Sequence, residues 1–599
     1  MVVDVSSQQS ASGGPRLRMQ LAGVMRALRG LAAAALVAVV ANGLQILPVL
    51  AGPACITVQL AAGASLNICL ESPVGGVTLK GDQAVRASVA ISGGESLVRR
   101  VVFYLDDAYL ITDFEAPYGF TLPTAQFVDG THVLSMEVHT RDATITQRVR
   151  ASLVFSNGVK APPASSGGFA PYVPRPKPGL PFTVAAVSDG AGGEATSTAV
   201  TDRILSWKPD LFIYMGDVYE KGTYTEFYNW YGSDHTFFGR LKAITNPAVG
   251  DHEYELDRAP GYFQYWRNPP NYYSYNAGGW HFVSLNSTGQ FHQTQPGSPQ
   301  YEWLRADLAA NATSCTLVYF QHPALSVGPQ GGVARMDPIW ALLANAGVDL
   351  VIAGNDHDYQ RWLPVNGSFA SDPSGPMQFV VGTGGHAIKQ FVRKDPRLAF
   401  GIDKAQRAYG ALRLQLDPHG ASYQFVETGG EVADSGARVC SGSPPDRQPP
   451  QKPNGLLSTA VSARSVVFRW QASTDDILVT GYRVYRNGTL IAELDPSAPS
   501  YSDDTVVSGR TYQYEVSAVD ASGKDSGRST KLDVVVPAIG GLATTGSAST
   551  AGIQPVVANP AAPDQEPLLA RIAPLGVVLL VAGFIVSLLL LGTRRNRGG

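Results

Sequence analysis

Charge is scarce in this chain. Only 16% of its 599 residues are Asp, Glu, Lys or Arg, and the formal net charge is -3. No basic stripe runs through it apart from arginines near the two ends, which excludes a specific nucleic-acid partner. Cysteine is rare as well. There are four, and no Cys-x-x-Cys pair that would suit a cysteine-held metal. Gly and Pro are plentiful at 63 and 41, which suits turns and linkers. A chain of this length is too long for one core, so several domains are expected.

The ends carry an address. Arg16, Arg18, Arg26 and Arg29 precede an apolar run from Leu31 to Ala41. Residues 1–54 therefore read as a signal peptide or an N-terminal anchor, and Asn42, Gly43 and Gln45 interrupt the run in favour of cleavage. Ile572 to Gly592 is almost wholly apolar and, at ~1.5 Å per residue, long enough to cross a bilayer. Arg594, Arg595 and Arg597 follow, so 572–592 reads as a transmembrane helix and 593–599 as a basic cytoplasmic tail. The expectation is an extracytoplasmic protein anchored to the cell membrane by its C-terminal helix. Leu542-Ala543-Thr544-Thr545-Gly546 resembles a sortase sorting motif with Ala in place of Pro, which keeps cell-wall attachment open. Export permits disulfides. Four cysteines allow three connectivities, and Cys55–Cys69 with Cys315–Cys440 is the favoured one.

Residues 55–156 alternate in the manner of short strands, as in Val101-Val102-Phe103-Tyr104-Leu105, with Asp129-Gly130 supplying a turn. This is a β-sandwich pattern. The run Val102–Asp106, Ala116-Pro117-Tyr118 and Asp129-Gly130-Thr131-His132 resembles bacterial immunoglobulin-like repeats. Residues 157–180 are a Pro/Gly/Ser linker and 441–453 a second one. Residues 454–537 again read as all-β. Trp470, the strand Gly481–Arg486, the hairpin turn Asn487-Gly488 and Tyr512 as a tyrosine corner resemble a fibronectin type III domain. Residues 538–571 suit a flexible stalk. The β-sandwich domains imply contact with a cell-wall or surface polymer.

The middle differs. Across 181–440, apolar strands such as Phe182–Val187, Leu211–Met215, Thr316–Phe320 and Leu350–Ala353 alternate with helical stretches such as Gln300–Asn311. That is a layered α/β domain. Five motifs end these strands or follow them: Ser188-Asp189-Gly190, Gly216-Asp217-Val218-Tyr219, Gly250-Asp251-His252-Glu253, Gln321-His322-Pro323 and Gly354-Asn355-Asp356-His357. They supply carboxylates, imidazoles and one amide from separate places. Strand ends hold ligands with the precision that a two-metal hydrolytic site needs.

The order of these motifs resembles the signature of calcineurin-like metallophosphoesterases, a superfamily that includes purple acid phosphatases. The stretches Tyr272–Tyr275, Gly279–Ser287 and Asp356–Arg361 are similar to its bacterial secreted branch. The resemblance implies a four-layer αββα sandwich over 181–440, flanked by two all-β sandwiches in a multidomain chain. It also implies two divalent metal ions, Mn, Mg, Zn or Fe. Asp189, Asp217 and His357 would hold the first; Asp217, Asp251, His322 and Asn355 would hold the second. His252 would be the catalytic acid that protonates the leaving group, or a stabiliser of the phosphoryl oxygens. Two positions depart from the family pattern: Asp251 stands where it has Asn, and Asn355 where it has His. Tyr219 comes two residues after Asp217 where the purple phosphatases place an iron-binding Tyr three residues after, so it is a possible metal ligand. His386 and Arg361 are possible substrate contacts, the latter alternatively a partner in a buried ion pair.

The function implied is a surface-anchored phosphatase hydrolysing extracellular phosphomonoesters. The alternatives are a phosphodiesterase or nucleotidase with the same site, or a catalytically impaired surface binding or adhesion protein.

Overall fold

The computed structural model describes residues 52–538, apart from short breaks at 61–63, 93–97, 142–143, 161–167, 176–181, 191–193, 289–292, 312, 314 and 498. The expected N-terminal signal or anchor up to residue 51, and the expected stalk beyond 538, sorting-like motif and basic tail, lie outside the described residues. The C-terminal membrane helix expected above needs correction. Among the described residues no helix is long and apolar enough to cross a membrane, and 572–592 lie outside them. The membrane anchor and the location drawn from it are therefore withdrawn.

Two sheets form the N-terminal sandwich. One has four strands in the order Ala54–Gln59, Ser65–Ser72, Asp82–Ser92, Tyr118–Pro123. The other has five, in the order Thr78–Leu79, Thr144–Phe155, Gly130–Thr140, Val98–Leu105, Ala108–Asp113. Ile68, Phe103, Leu122, Met136 and Leu153 are fully buried between the sheets. Cys55 and Cys69, register partners on adjacent strands, are disulfide-bonded.

The central domain also holds two sheets, but helices cover them. Phe182–Val187 pairs in parallel with Leu211–Tyr214, which pairs in parallel with Thr245–Pro247; the antiparallel strands Gly410–Asp417, Gly420–Glu427 and Val432–Val439 complete six. The second sheet has seven strands. Its centre is parallel: Trp280–Ser284, Cys315–Tyr319, Leu350–Ala353 and Met377–Val381. Alternation sorts the side chains of these strands. Phe282, Leu317, Ile352 and Phe379 face the first sheet. Val283, Val318 and Val351 face a separate cluster with Leu304 of the helix Pro299–Ala310 and Ile339, Trp340 and Leu343 of the helix Asp337–Asn345. Val200 and Ile204 of the helix Glu194–Ser206 pack on the six-stranded sheet. Strands buried on both faces read as continuous apolar runs, which is why parallel sheets of this kind need helices. Cys315, opening a central strand, is bonded to Cys440 just past the last strand of the other sheet.

Residues 454–538 form the third unit, with sheets of three and four strands around Phe468, Val484, Tyr514 and Val516. The Tyr512 hydroxyl accepts a hydrogen bond from the Val507 backbone N–H at 2.9 Å, the tyrosine-corner contact.

The N-terminal sandwich docks on the central domain through residues 219–229. Thr223 caps the short helix Tyr224–Glu226 and its hydroxyl donates to the Leu110 carbonyl at 2.6 Å. Glu226 accepts from the Tyr109 hydroxyl at 2.6 Å. Asn229 accepts from the Thr121 N–H at 2.7 Å and donates to its carbonyl at 2.8 Å, pairing with the sandwich edge as a neighbouring strand would.

Candidate metal centre

Every motif sits just past the C-terminal end of a parallel strand, so the two sheets bring all five to one rim. Asp189 follows Val187, Asp217 follows Tyr214, Asp251 follows Pro247, His322 follows Tyr319, and Asn355 and His357 follow Ala353. Asp189, Asp217 and Asn355 hold positive φ values of 57°, 54° and 68°. Asp and Asn tolerate this region better than other residues, and such strain of ~1–3 kcal/mol each gathers where a site needs it.

The site has two wings. On one, His357 Nε2 lies 3.5 Å from Asp189 Oδ1. Asp189 also accepts from the Asn355 backbone N–H at 3.0 Å, from Gln321 Nε2 at 3.2 Å and from the Ser188 hydroxyl. On the other, His322 Nε2 lies 3.3 Å from Asp251 Oδ1. Ser287 orients His322 from behind: its oxygen lies 3.0 Å from Nδ1 and accepts the His322 N–H at 2.9 Å. Asp217, Asp251 and His252 bring donor atoms within 4.8 Å of one another. The His252 backbone N–H donates to Asp217 Oδ1 at 3.2 Å, and its ring Nδ1 lies 3.0 Å from the Glu220 carbonyl, which leaves Nε2 for the site.

Glu253, the last residue of its motif, is a clamp. It is fully buried and accepts three backbone N–H groups, Asp217 at 3.0 Å, Val218 at 2.8 Å and Gly250 at 2.7 Å. Gly250 is required by close approach, since a Cβ there would stand 2.0 Å from Asp217 Oδ1.

Electrostatics shows what the site wants. Burial raises Asp217 well above the usual carboxylate range, and the charges of Asp251, Asp189 and Glu253 raise it further. Asp189 is pushed up to about 6 by burial, with Asp251 adding to it. Burial would raise Asp251 too, but the His322 hydrogen bond and the charges of His322 and His252 hold it down at about 2. Burial depresses His357 to about 4 and leaves it neutral, as a ligand imidazole must be. Converging carboxylates that repel one another, beside neutral imidazoles, are a donor set that fits divalent cations.

Two expected residues have partners elsewhere. Tyr219 points away from the carboxylates. Its hydroxyl donates to the Thr112 carbonyl at 2.8 Å and its ring stacks on Trp230 at 4.5 Å, inside the core of the N-terminal sandwich. It is a docking residue rather than a ligand. Arg361 is paired with Asp434, with contacts of 2.7 and 2.9 Å. His386 lies at the rim, its ring 4.3 Å from that of His357 and its Nδ1 without a hydrogen-bond partner. Asn355 is buried at the Asp189 wing. Sequence reasoning passed over Glu253, Gln321 and Ser287 as functional residues, although the first two lie in its motifs and Ser287 ends the stretch Gly279–Ser287. It missed Arg335 altogether. That side chain donates to the Ser287 carbonyl at 2.9 Å and feels the Asp251 charge. No local pattern marks a lone arginine that reaches a site from another loop.

Residues 182–359 match the calcineurin-like phosphoesterase family model and residues 67–136 match the bacterial Ig domain model. The central region thus resembles a calcineurin-like phosphoesterase domain and the region before it a bacterial Ig domain. Among curated proteins, probable purple acid phosphatase 20 of Arabidopsis thaliana is 29% identical over 252 residues, 37% of this chain and 56% of that protein. Chitinase Chi52 of Paenibacillus xylanexedens is 41% identical over 90 residues, 15% of this chain and 17% of that enzyme. The solved structure of purple acid phosphatase PPD1 from yellow lupin seeds aligns at 11% identity and TM-score 0.38, covering 66% of this chain and 77% of that one. The chain spans about half the length of the Arabidopsis phosphatase.

Proposed function

We propose that the central domain is a metal-dependent phosphomonoesterase. The observation that carries this reading is the meeting of Asp189, Asp217, Asp251, His322 and His357 at one rim, where burial first and neighbouring negative charge second raise the pKa of Asp189 and Asp217. Asp189, Asp217 and His357 would hold one divalent ion; Asp217, Asp251, His322 and Asn355 would hold a second. Bound ions of this kind neutralise the phosphoryl oxygens and lower the pKa of water for in-line attack. The oxygen-rich second set favours a harder cation such as Mn²⁺ or Mg²⁺ over Zn²⁺.

The chain's own residues supply the rest. His252 is the proton donor to the leaving oxygen. Burial pulls its pKa down, but the Glu220 carbonyl and the charges of Asp251, Glu253 and Glu220 outweigh this and raise it. The raised pKa favours the protonated ring, whose second proton would sit on the nitrogen that the Glu220 carbonyl does not occupy. Glu253 holds the Asp217 loop, Gln321 and the Asn355 N–H hold Asp189, and Ser287 holds His322. The short matches to a chitinase and an α-amylase favour a polysaccharide-contacting role for the β-sandwich modules, which would place the phosphatase near a surface polymer.

The test is p-nitrophenyl phosphate hydrolysis by the purified chain after metal removal and return of Mn²⁺, Mg²⁺, Zn²⁺ or Fe. Metal-dependent turnover that His252→Ala removes without unfolding the protein supports the reading. No turnover with any metal, from folded protein, sinks it and moves the choice to the impaired binding protein.

A further inference from the structure

Far from that rim, three aspartates meet where the second linker joins the fibronectin-like domain. Asp446 belongs to the linker, Asp475 to the loop between the strands Val466–Gln471 and Val479–Arg486, and Asp520 ends the strand Thr511–Asp520. One carboxylate oxygen of each comes within 4.8 Å of the others.

In each carboxylate one oxygen is used and the other is not. Asp520 Oδ1 accepts from the Ser522 N–H at 2.9 Å, its hydroxyl at 3.0 Å and the Lys524 N–H at 2.8 Å. Asp475 Oδ2 accepts from the Ile477 and Leu478 N–H groups, both at 3.0 Å. Asp446 Oδ1 accepts from Lys524 Nζ at 2.9 Å. Asp520 Oδ2, Asp475 Oδ1 and Asp446 Oδ2 are buried and lack a hydrogen-bond partner. The Asp520 and Asp446 side chains are only 0% and 8% exposed.

Unpaired buried carboxylate oxygens are costly, and three carboxylates brought this close repel one another. Among the described residues, Lys524 is the cation paired with this cluster. Its Nζ is spent on the Asp446 carboxylate and carbonyl and stays 3.9 Å from Asp520 Oδ2. Three carboxylates against one ammonium leave two negative charges, and Asp476 and Asp417 add to the field. Two uncompensated charges, presented through hard oxygen donors on turns whose backbone is already tied down, match a calcium ion.

We propose that Asp446, Asp475 and Asp520 form a calcium site that fastens the fibronectin-like domain to the linker leaving the phosphoesterase domain. A bound ion cross-links two stretches separated by a Pro-rich segment and so fixes the angle at which the third domain is carried. The site is independent of the phosphoesterase centre.

Calcium binding to the full chain, followed by equilibrium dialysis and thermal melting, tests this. Asp475→Asn keeps an oxygen for the two N–H groups and removes the charge. Expected are one fewer Ca²⁺ per chain at ~1 mM and loss of the calcium-induced rise in melting temperature. Phosphatase turnover should be unchanged. Asp446→Asn should do the same, and Lys524→Ala, which removes the competing cation, should tighten binding several-fold. Should Asp475→Asn fail to fold, the other two variants decide. Equal Ca²⁺ binding in all of these proteins, or none in the wild type, overturns the proposal.

Discussion

Glu253 makes the sharpest claim of the site, that one buried carboxylate holds the loop carrying the central aspartate. Its Oε2 takes the N–H groups of Asp217 and Gly250, and its Oε1 takes that of Val218. In Glu253→Gln the amide oxygen can keep the first pair, which turns the amide NH₂ toward the Val218 N–H. One buried donor is then orphaned, at ~1–3 kcal/mol, and the two bonds that remain lose their charge assistance. Relief of burying a carboxylate, and of its repulsion of Asp217, offsets part of this. The net expectation is a loss of ~2–4 kcal/mol and a fall in turnover larger than the change in KM, since Asp217 no longer holds its place. Glu253→Ala, which orphans all three donors, should be worse on both counts. Chemical denaturation and p-nitrophenyl phosphate kinetics read the two effects. A Glu253→Gln protein with wild-type midpoint and wild-type turnover would refute the clamp.

Three further predictions concern charge and docking. Glu226 is pushed up to about 7 by burial. A carboxyl raised in the folded state contributes stability below its unfolded pKa and loses it as pH rises through about 7, a swing on the order of 3 kcal/mol. Glu226→Gln, whose amide suits the same partners, should therefore gain on the wild type in melting temperature between about pH 5 and pH 8; parallel curves would count against it. Asp189 follows the same sign, its share of metal-free stability being lost as pH rises through about 6. A divalent ion replaces that proton, so the melting-temperature gain on adding metal should be larger at about pH 7.5 than at about pH 5, and a gain independent of pH would contradict the coupling. Tyr219→Phe removes one hydroxyl donated to Thr112 and should cost ~0.5–1.5 kcal/mol at the docking face without altering metal content, which elemental analysis checks.

Legibility in the sequence followed distance along the chain. The apolar runs of the central strands announce themselves because strands buried on both faces leave no polar alternation, and the residues just after them lie at the sheet rim. Thus Asp189, Asp217, Asp251, His322 and His357 were all nameable from the chain alone. Trp470, Tyr512 and the turn Asn487-Gly488 marked the third domain for a similar reason, since each acts on chain close to it. Where the partner comes from another domain, local pattern is silent. Tyr219 follows Asp217 so closely that it reads as a ligand, yet its partner Thr112 lies 107 residues earlier, in the sandwich. Arg361 beside a histidine motif suggests phosphate, while its partner Asp434 lies 73 residues later.

What the amino-acid sequence determined by itself is the set of strand-end donors and the order in which they occur. Only the tertiary structure decided which of them face one another, which carboxylates are forced to repel, and that Asp446, Asp475 and Asp520 share a buried corner. The reason is physical. Burial and charge proximity set those properties, and both depend on what the fold packs alongside a residue rather than on its neighbours in the chain.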